Sequence, residues 1–148
     1  MNNRFKFRVW DKINNSFFIN EETKDVYFDI WQWTDKMSTC LKYPIEDCIF
    51  QQYTGLNDKN NNLIFEGDIV SFSYKASEHD IEEEIGKVFF SEGIFYFGKS
   101  LFASNDSNFI TESIEVIGNI FNPPCNFDAN NECLICDDII DNCQFKNK

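Results

Sequence analysis

Gln52-Tyr53-Thr54-Gly55-Leu56-Asn57-Asp58-Lys59 leads through a polar turn into Ile64-Phe65-Glu66-Gly67-Asp68-Ile69-Val70. Ile49 to Thr54 reads as a strand. Asn57 to Asn62 reads as a tight turn, because Asn and Asp tolerate positive φ and bond their own backbone. Ile69 to Tyr74 alternates apolar with polar and reads as the next strand. Two strands joined by a turn, the second opened by Gly-Asp, set a β-rich frame.

The rest of the chain extends that frame. Phe5, Phe7 and Val9 alternate with Lys6, Arg8 and Trp10, which predicts a strand with one core face and one basic face. Asn14-Asn15 suits a turn and Phe17-Phe18-Ile19 its returning strand. Val26 to Trp33 is aromatic-rich and free of Gly and Pro, the strongest strand signal present. Met37 to Cys48 is ambiguous, because Pro44 limits any helix across it. Ile85 to Phe90, Ser91-Glu92-Gly93 and Ile94 to Phe97 read as a hairpin. Ser113 to Phe121 is a last strand, in which Gly118 allows a bulge or a close backbone approach.

These elements predict a mainly β fold, β-dominated α+β at most, with antiparallel strands over 1–54 and a small SH3-like barrel over 63–121. The β domain spans 1–122. Pro123-Pro124 then breaks the chain before an acidic, Cys-rich tail over 123–148. Asn131 could cap a short helix there, from about Glu132 to Asn142.

The chain has 148 residues, enough for one domain with a real core, and its 17 Phe, five Tyr and three Trp supply large apolar areas. Its net charge of −12 repels nucleic acid on average. Glu78, Asp80, Glu82, Glu83 and Glu84 form an acidic run, expected in a loop over Lys75 to Glu84. It reads either as solvated surface or as a face for a basic partner. No stretch approaches the roughly 20 apolar residues of a membrane helix. With no apolar signal core near Met1, the expected location is the cytoplasm.

Catalytic patterns are absent. His79 is the single histidine and lies in the acidic run, where it reads as an exposed loop residue. No phosphate-cradling glycine loop or His-Glu-x-x-His pattern occurs. Carboxylates are plentiful, but no pair stands out for acid–base work. Cys125, Cys133, Cys136 and Cys143 form C-x7-C-x2-C-x6-C. Four thiolates can hold zinc, and C-x2-C is a usual half-site. Against zinc stand the lack of a second short pair and the nearby Asp137, Asp138 and Asp141. The alternative is that these cysteines pack as small apolar residues, so the expectation is no cofactor. Cys40 and Cys48 read as unrelated buried thiols. Arg4, Lys6 and Arg8 beside Phe5, Phe7 and Trp10 raise single-stranded nucleic-acid stacking. Alternation would point the bases and the rings Phe5 and Phe7 apart, so nucleic acid is not expected. The basic face would instead meet acidic surface, in the molecule or on another subunit.

Phe5-Lys6-Phe7-Arg8-Val9-Trp10-Asp11-Lys12 resembles the KFRAWDK opening of the YopX-like proteins encoded by phages and prophages. Gln52 to Asn60 is similar to their QYTGLKDKNG segment, Ile64 to Val70 to IYEGDIV, and Glu115 to Phe121 to EVIGNIYE. The four blocks occur in the family's order. The chain departs from it at Asn61-Asn62, where the family has Gly after the turn Asn, and in the added Cys-rich tail. The resemblance implies a small β-rich phage accessory protein with no enzymatic activity to carry over and a capacity for homo-oligomeric assembly. Trp10, Gly55, Gly67, Asp68 and Gly118 then read as fold determinants. Gly67 would supply a backbone conformation that a side chain blocks, and Asp68 would bond nearby amides. The expected role is contact with a protein partner of host or phage, in the host cytoplasm, for host takeover or counter-defence. Its rivals are a nucleic-acid-associated barrel with a zinc tail and a carboxylate enzyme.

Overall fold

Alternating and aromatic-rich segments form strands, and the turns between them fall at Asn, Asp and Gly. A computed structural model describes residues 5–20, 23–29, 45–98, 102–103 and 106–124. Among them the order is β1 (Lys6–Asp11), β2 (Ser16–Phe17), β3 (Phe28–Asp29), a 3-10 turn (Ile45–Asp47), β4 (Cys48–Asn57), β5 (Leu63–Phe65), β6 (Asp68–Lys75), β7 (Ile81–Ser91), β8 (Ile94–Phe97), β9 (Phe102–Ala103) and β10 (Phe109–Asn119). The fold is mainly β and antiparallel, with no α-helix among the described residues. The expected tail helix, its four cysteines and Cys40 lie outside them. Of the strand expected over Val26 to Trp33, the described part is strand only at Phe28–Asp29. The chain divides into two compact units, Met1–Leu56 and Asn57–Lys148.

In the first unit β1 is central. β4 runs along one edge, from Phe7↔Gln52 to Asp11↔Cys48. Two residues each of β2 and β3 line the other edge. Asp11 builds the β1–β2 turn by accepting from the N–H groups of Ile13 (2.8 Å) and Asn14 (3.0 Å). Both the expected core face and the expected basic face of β1 are covered. Val9 is fully buried, but Phe5 on the same face is 66% exposed. Arg8 on the basic face is 7% exposed. Its Nε donates to Gln51 Oε1 at 2.7 Å, and its guanidinium lies 4.7 Å from the Phe17 ring centre. Lys6 sits 4.9 Å over Tyr27, and Trp10 meets Phe17 edge-on at 4.9 Å. Rings from outside β1 therefore cover the basic side chains, and pairing within one strand could not reveal them.

In the second unit five strands form a strongly bent antiparallel sheet, a half-barrel, in the order β10-β6-β7-β8-β9. Its buried apolar residues include Val70, Phe72, Val88, Phe97, Phe109 and Ile114. Phe109 lies between Phe72 (5.1 Å, edge-on) and Phe97 (4.9 Å). β7 makes the bend. Ile81 to Lys87 pair with β6, and Val88 to Ser91 pair with β8. At the changeover a Cβ on Gly86 would stand 2.0 Å from the Gly98 Cα, so the two backbones can touch only because Gly86 lacks a side chain. The β7–β8 turn has positive φ at Glu92 (50°) and Gly93 (84°), the type I′ pattern that matches strand twist.

Candidate functional site

The acidic run is the sequence feature whose placement changes most. It was expected as a loop from Lys75 to Glu84, but the loop ends at Asp80 and Glu82, Glu83 and Glu84 belong to β7. Their partners on β6 are Tyr74, Ser73 and Phe72. Three consecutive glutamates with Tyr, Ser and Phe partners make a regular ladder here, and cross-strand contacts outweigh the low strand preference of Glu. Asp80 closes the turn. Its carbonyl accepts from Ala76 N–H at 2.9 Å, and its carboxylate accepts from Ser77 Oγ at 2.8 Å. Glu78 and His79 are exposed within that turn.

The three glutamates of β7 differ in surroundings. Glu82 is exposed and accepts from the Tyr74 hydroxyl at 2.7 Å. Glu83 is exposed on the opposite face of the strand. Glu84 is half-buried, and its Oε1 lies 2.2 Å from where a Gly98 Cβ would stand.

Glu83 helps to line an open groove of about 420 Å³, with Ser71, Ser73, Ile85, Ser113, Glu115 and Lys59 among its walls. Register explains the grouping. Ser71 pairs with both Ile85 and Glu115, and Ser73 pairs with Glu83, so these side chains share one face. Between Ile110 and Glu115 the register of β10 slips. Ser113 fills the gap: its Oγ accepts from Ser73 N–H at 2.8 Å and donates to the Ile110 carbonyl at 2.6 Å. That hydroxyl is engaged in the sheet, and among the described residues no histidine or cysteine lines the groove to activate it. Lys59 and Glu115 form a partly exposed ion pair at 2.5 Å. Screening leaves such a pair little net stabilisation. Among the described residues no three His, Cys, Asp or Glu side chains are grouped to hold a metal ion. No described helix is long and apolar enough to cross a membrane. The Cys48 side chain is half-buried.

The turn between Asn57 and Asn62 is built on Asp58, which is 6% exposed. Its Oδ1 accepts from Asn60 N–H (2.9 Å) and Asn62 N–H (2.8 Å). Its Oδ2 accepts from Asn62 Nδ2 (3.1 Å) and from Val116 N–H of β10 (3.2 Å). Burial would push this carboxyl up. The hydrogen bonds, led by those from Asn62, outweigh burial and hold it below the usual 3.8. Asp68 is 1% exposed and accepts from Phe65 N–H at 2.8 Å and from Asn119 Nδ2 at 3.3 Å. Gly67 between them has φ +81°. A Cβ on Gly118 would stand 2.5 Å from Pro124 Cδ, and a register shift falls between Val116 and Gly118.

The sequence blocks that form this turn, the Gly-Asp strand opening and β10 fall inside one match, since the model of the YopX protein family covers residues 6–126. The chain belongs to the YopX family. This YopX chain is also similar to the crystal structure of protein EF1440 from Enterococcus faecalis, at 18% identity and a TM-score of 0.47, covering 78% of this chain and 92% of that one. No curated protein matches the sequence. Within the YopX match, sequence reading singled out Gly67, Asp68 and Gly118 but passed over Asp58, Gly98 and the Arg8–Gln51 pair. An Asp followed by Asn at the second and fourth positions is an Asx-turn pattern and could have pointed to Asp58. The other residues depend on partners 12 and 43 positions away in the chain.

Proposed function

We propose that this YopX-family chain is a non-enzymatic phage or prophage accessory protein that binds a basic protein partner of host or phage in the host cytoplasm. The observation that carries this reading is the placement of Glu82 and Glu83. Both are exposed, and both sit on a regularly paired strand rather than on a loop. Carboxylates held by a sheet lose less freedom on binding than the same groups on a loose segment. Fixed negative charge also speeds encounter with a cationic surface. Host takeover or counter-defence suits such a surface, because it can offer a DNA-binding protein the charge it seeks in phosphates. The nucleic-acid reading loses its support from β1, where Arg8 is buried against Gln51 and Phe17 and Lys6 covers Tyr27.

Affinity capture from host lysate tests the proposal when the native chain is compared with the E82Q/E83Q variant. A protein retained by the native chain, and lost both in the variant and at high salt, is the expected result. Nothing retained, or equal retention by the variant, counts against it.

A further inference from the structure

Among the described residues, the half of β7 that bears the glutamates has a strand on only one side. Ile81 to Lys87 pair with β6, whereas β8 begins opposite Val88. The direction of the free side follows from two hydrogen bonds. The Lys87 carbonyl accepts from Gly98 N–H on the β8 side, and the Val88 carbonyl accepts from Gly67 N–H on the other. The register with β6 is unbroken from Ile81 to Lys87. Alternation therefore points the N–H and C=O groups of Ile81, Glu83 and Ile85 to the side that β8 does not reach. No described strand lies along it. Ile81 is 65% exposed and Ile85 37%, so the edge has an apolar side chain at each end and Glu83 between them.

We infer that this edge of β7 receives an extended, basic segment of a partner protein as an added antiparallel strand. The inference rests on the acidic-surface reading and specifies how the partner is held. Charge selects the occupant. A second copy pairing antiparallel about Glu83 would set Glu83 against Glu83 and Glu82 against Glu84, and like charges directly opposite oppose pairing. A segment reading apolar, basic, basic, basic, apolar would set apolar residues against Ile85 and Ile81 and cations against Glu84, Glu83 and Glu82. Backbone bonds would supply the fit, and the alternating side chains the choice of partner. On one face the added strand continues the row of Ile85, Glu83 and the groove serines.

The probe is a capped synthetic peptide, Thr-Val-Lys-Lys-Lys-Val-Thr. One analogue is N-methylated at the central Lys and both Val, a second at the two flanking Lys. Because Glu83 directs both backbone groups to the edge, the central Lys and both Val must donate to it. The first analogue loses three donors and should bind at least about tenfold more weakly. The second should stay within roughly threefold of the parent. Saturation with the parent peptide should slow amide exchange at Ile81, Glu83 and Ile85 but leave Glu82 and Glu84 unchanged. Equal effects of the two methylation patterns, or unchanged exchange, overturn strand addition. If E82Q/E83Q still weakens the parent peptide in that case, the charge reading survives alone. A parent peptide that fails to bind even at low salt overturns both.

Discussion

Replacing Asp58 by Ala should be among the costliest single changes outside the apolar core. The carboxylate takes four hydrogen bonds, at 2.9 and 2.8 Å on Oδ1 and at 3.1 and 3.2 Å on Oδ2. A hydrogen bond to a charged group contributes roughly 1.5–3 kcal/mol. Water can replace part of this at the turn, and the two longer bonds are weaker. The expected loss is about 3 kcal/mol, a large share of a typical stability of roughly 5–15 kcal/mol. Asp58→Asn should cost less, about 1.5 kcal/mol, because Oδ1 survives while an amide NH2 faces the Val116 N–H. The two variants also separate in pH. The folded carboxyl lies below its usual 3.8, so its contribution is complete above the unfolded pKa and is lost as pH falls through that value towards the folded one. The native protein should therefore lose its advantage over Asp58→Asn below about pH 4. Urea unfolding followed by far-ultraviolet circular dichroism at pH 7 and pH 3, with amide exchange at Val116, measures both effects. An Ala variant within about 0.5 kcal/mol of native, or a gap to Asn that does not narrow in acid, would refute the clasp.

The bend in β7 predicts an order among glycines. Gly86→Ala should be worst, because its Cβ would meet backbone at 2.0 Å, and Gly98→Ala next, since the Glu84 side chain can swing away but Phe72 cannot. Gly93→Ala faces open space at φ +84° and should cost only about 1 kcal/mol, read from thermal midpoints. Asp68→Ala leaves the buried Phe65 N–H without its acceptor and should cost about 2–3 kcal/mol by urea unfolding. Gln51→Leu removes the acceptor for Arg8 Nε and should cost about 2 kcal/mol. The tryptophans of this chain are Trp10, Trp31 and Trp33, so their fluorescence reports that unit alone. Protein prepared under reducing, chelator-free conditions should carry no stoichiometric zinc. One equivalent lost on C133S/C136S would overturn that expectation.

Much of the frame was legible because its causes are local. The Asn57–Asn62 turn, the Gly67-Asp68 strand opening and the Glu92-Gly93 hairpin each depend on residues within four positions of one another. Their φ requirements and short-range hydrogen bonds are written into residue type. Misreadings arose where the deciding partner is distant. Three consecutive glutamates read as loop, yet Tyr74, Ser73 and Phe72 make them strand. Arg8 read as one of a basic face turned to acidic surface, yet Gln51, 43 residues on, helps to bury it.

The sequence by itself determined the class of fold, the family and the sites of the turns, because these follow from side-chain alternation and from what Asn, Asp and Gly permit the backbone. Tertiary structure alone decided that Glu82 to Glu84 would lie on a strand and that no other described strand would pair with that half of β7 on its far side. Both depend on where β8 starts relative to β6, and that is set by two glycine backbones in contact rather than by any residue of the acidic run.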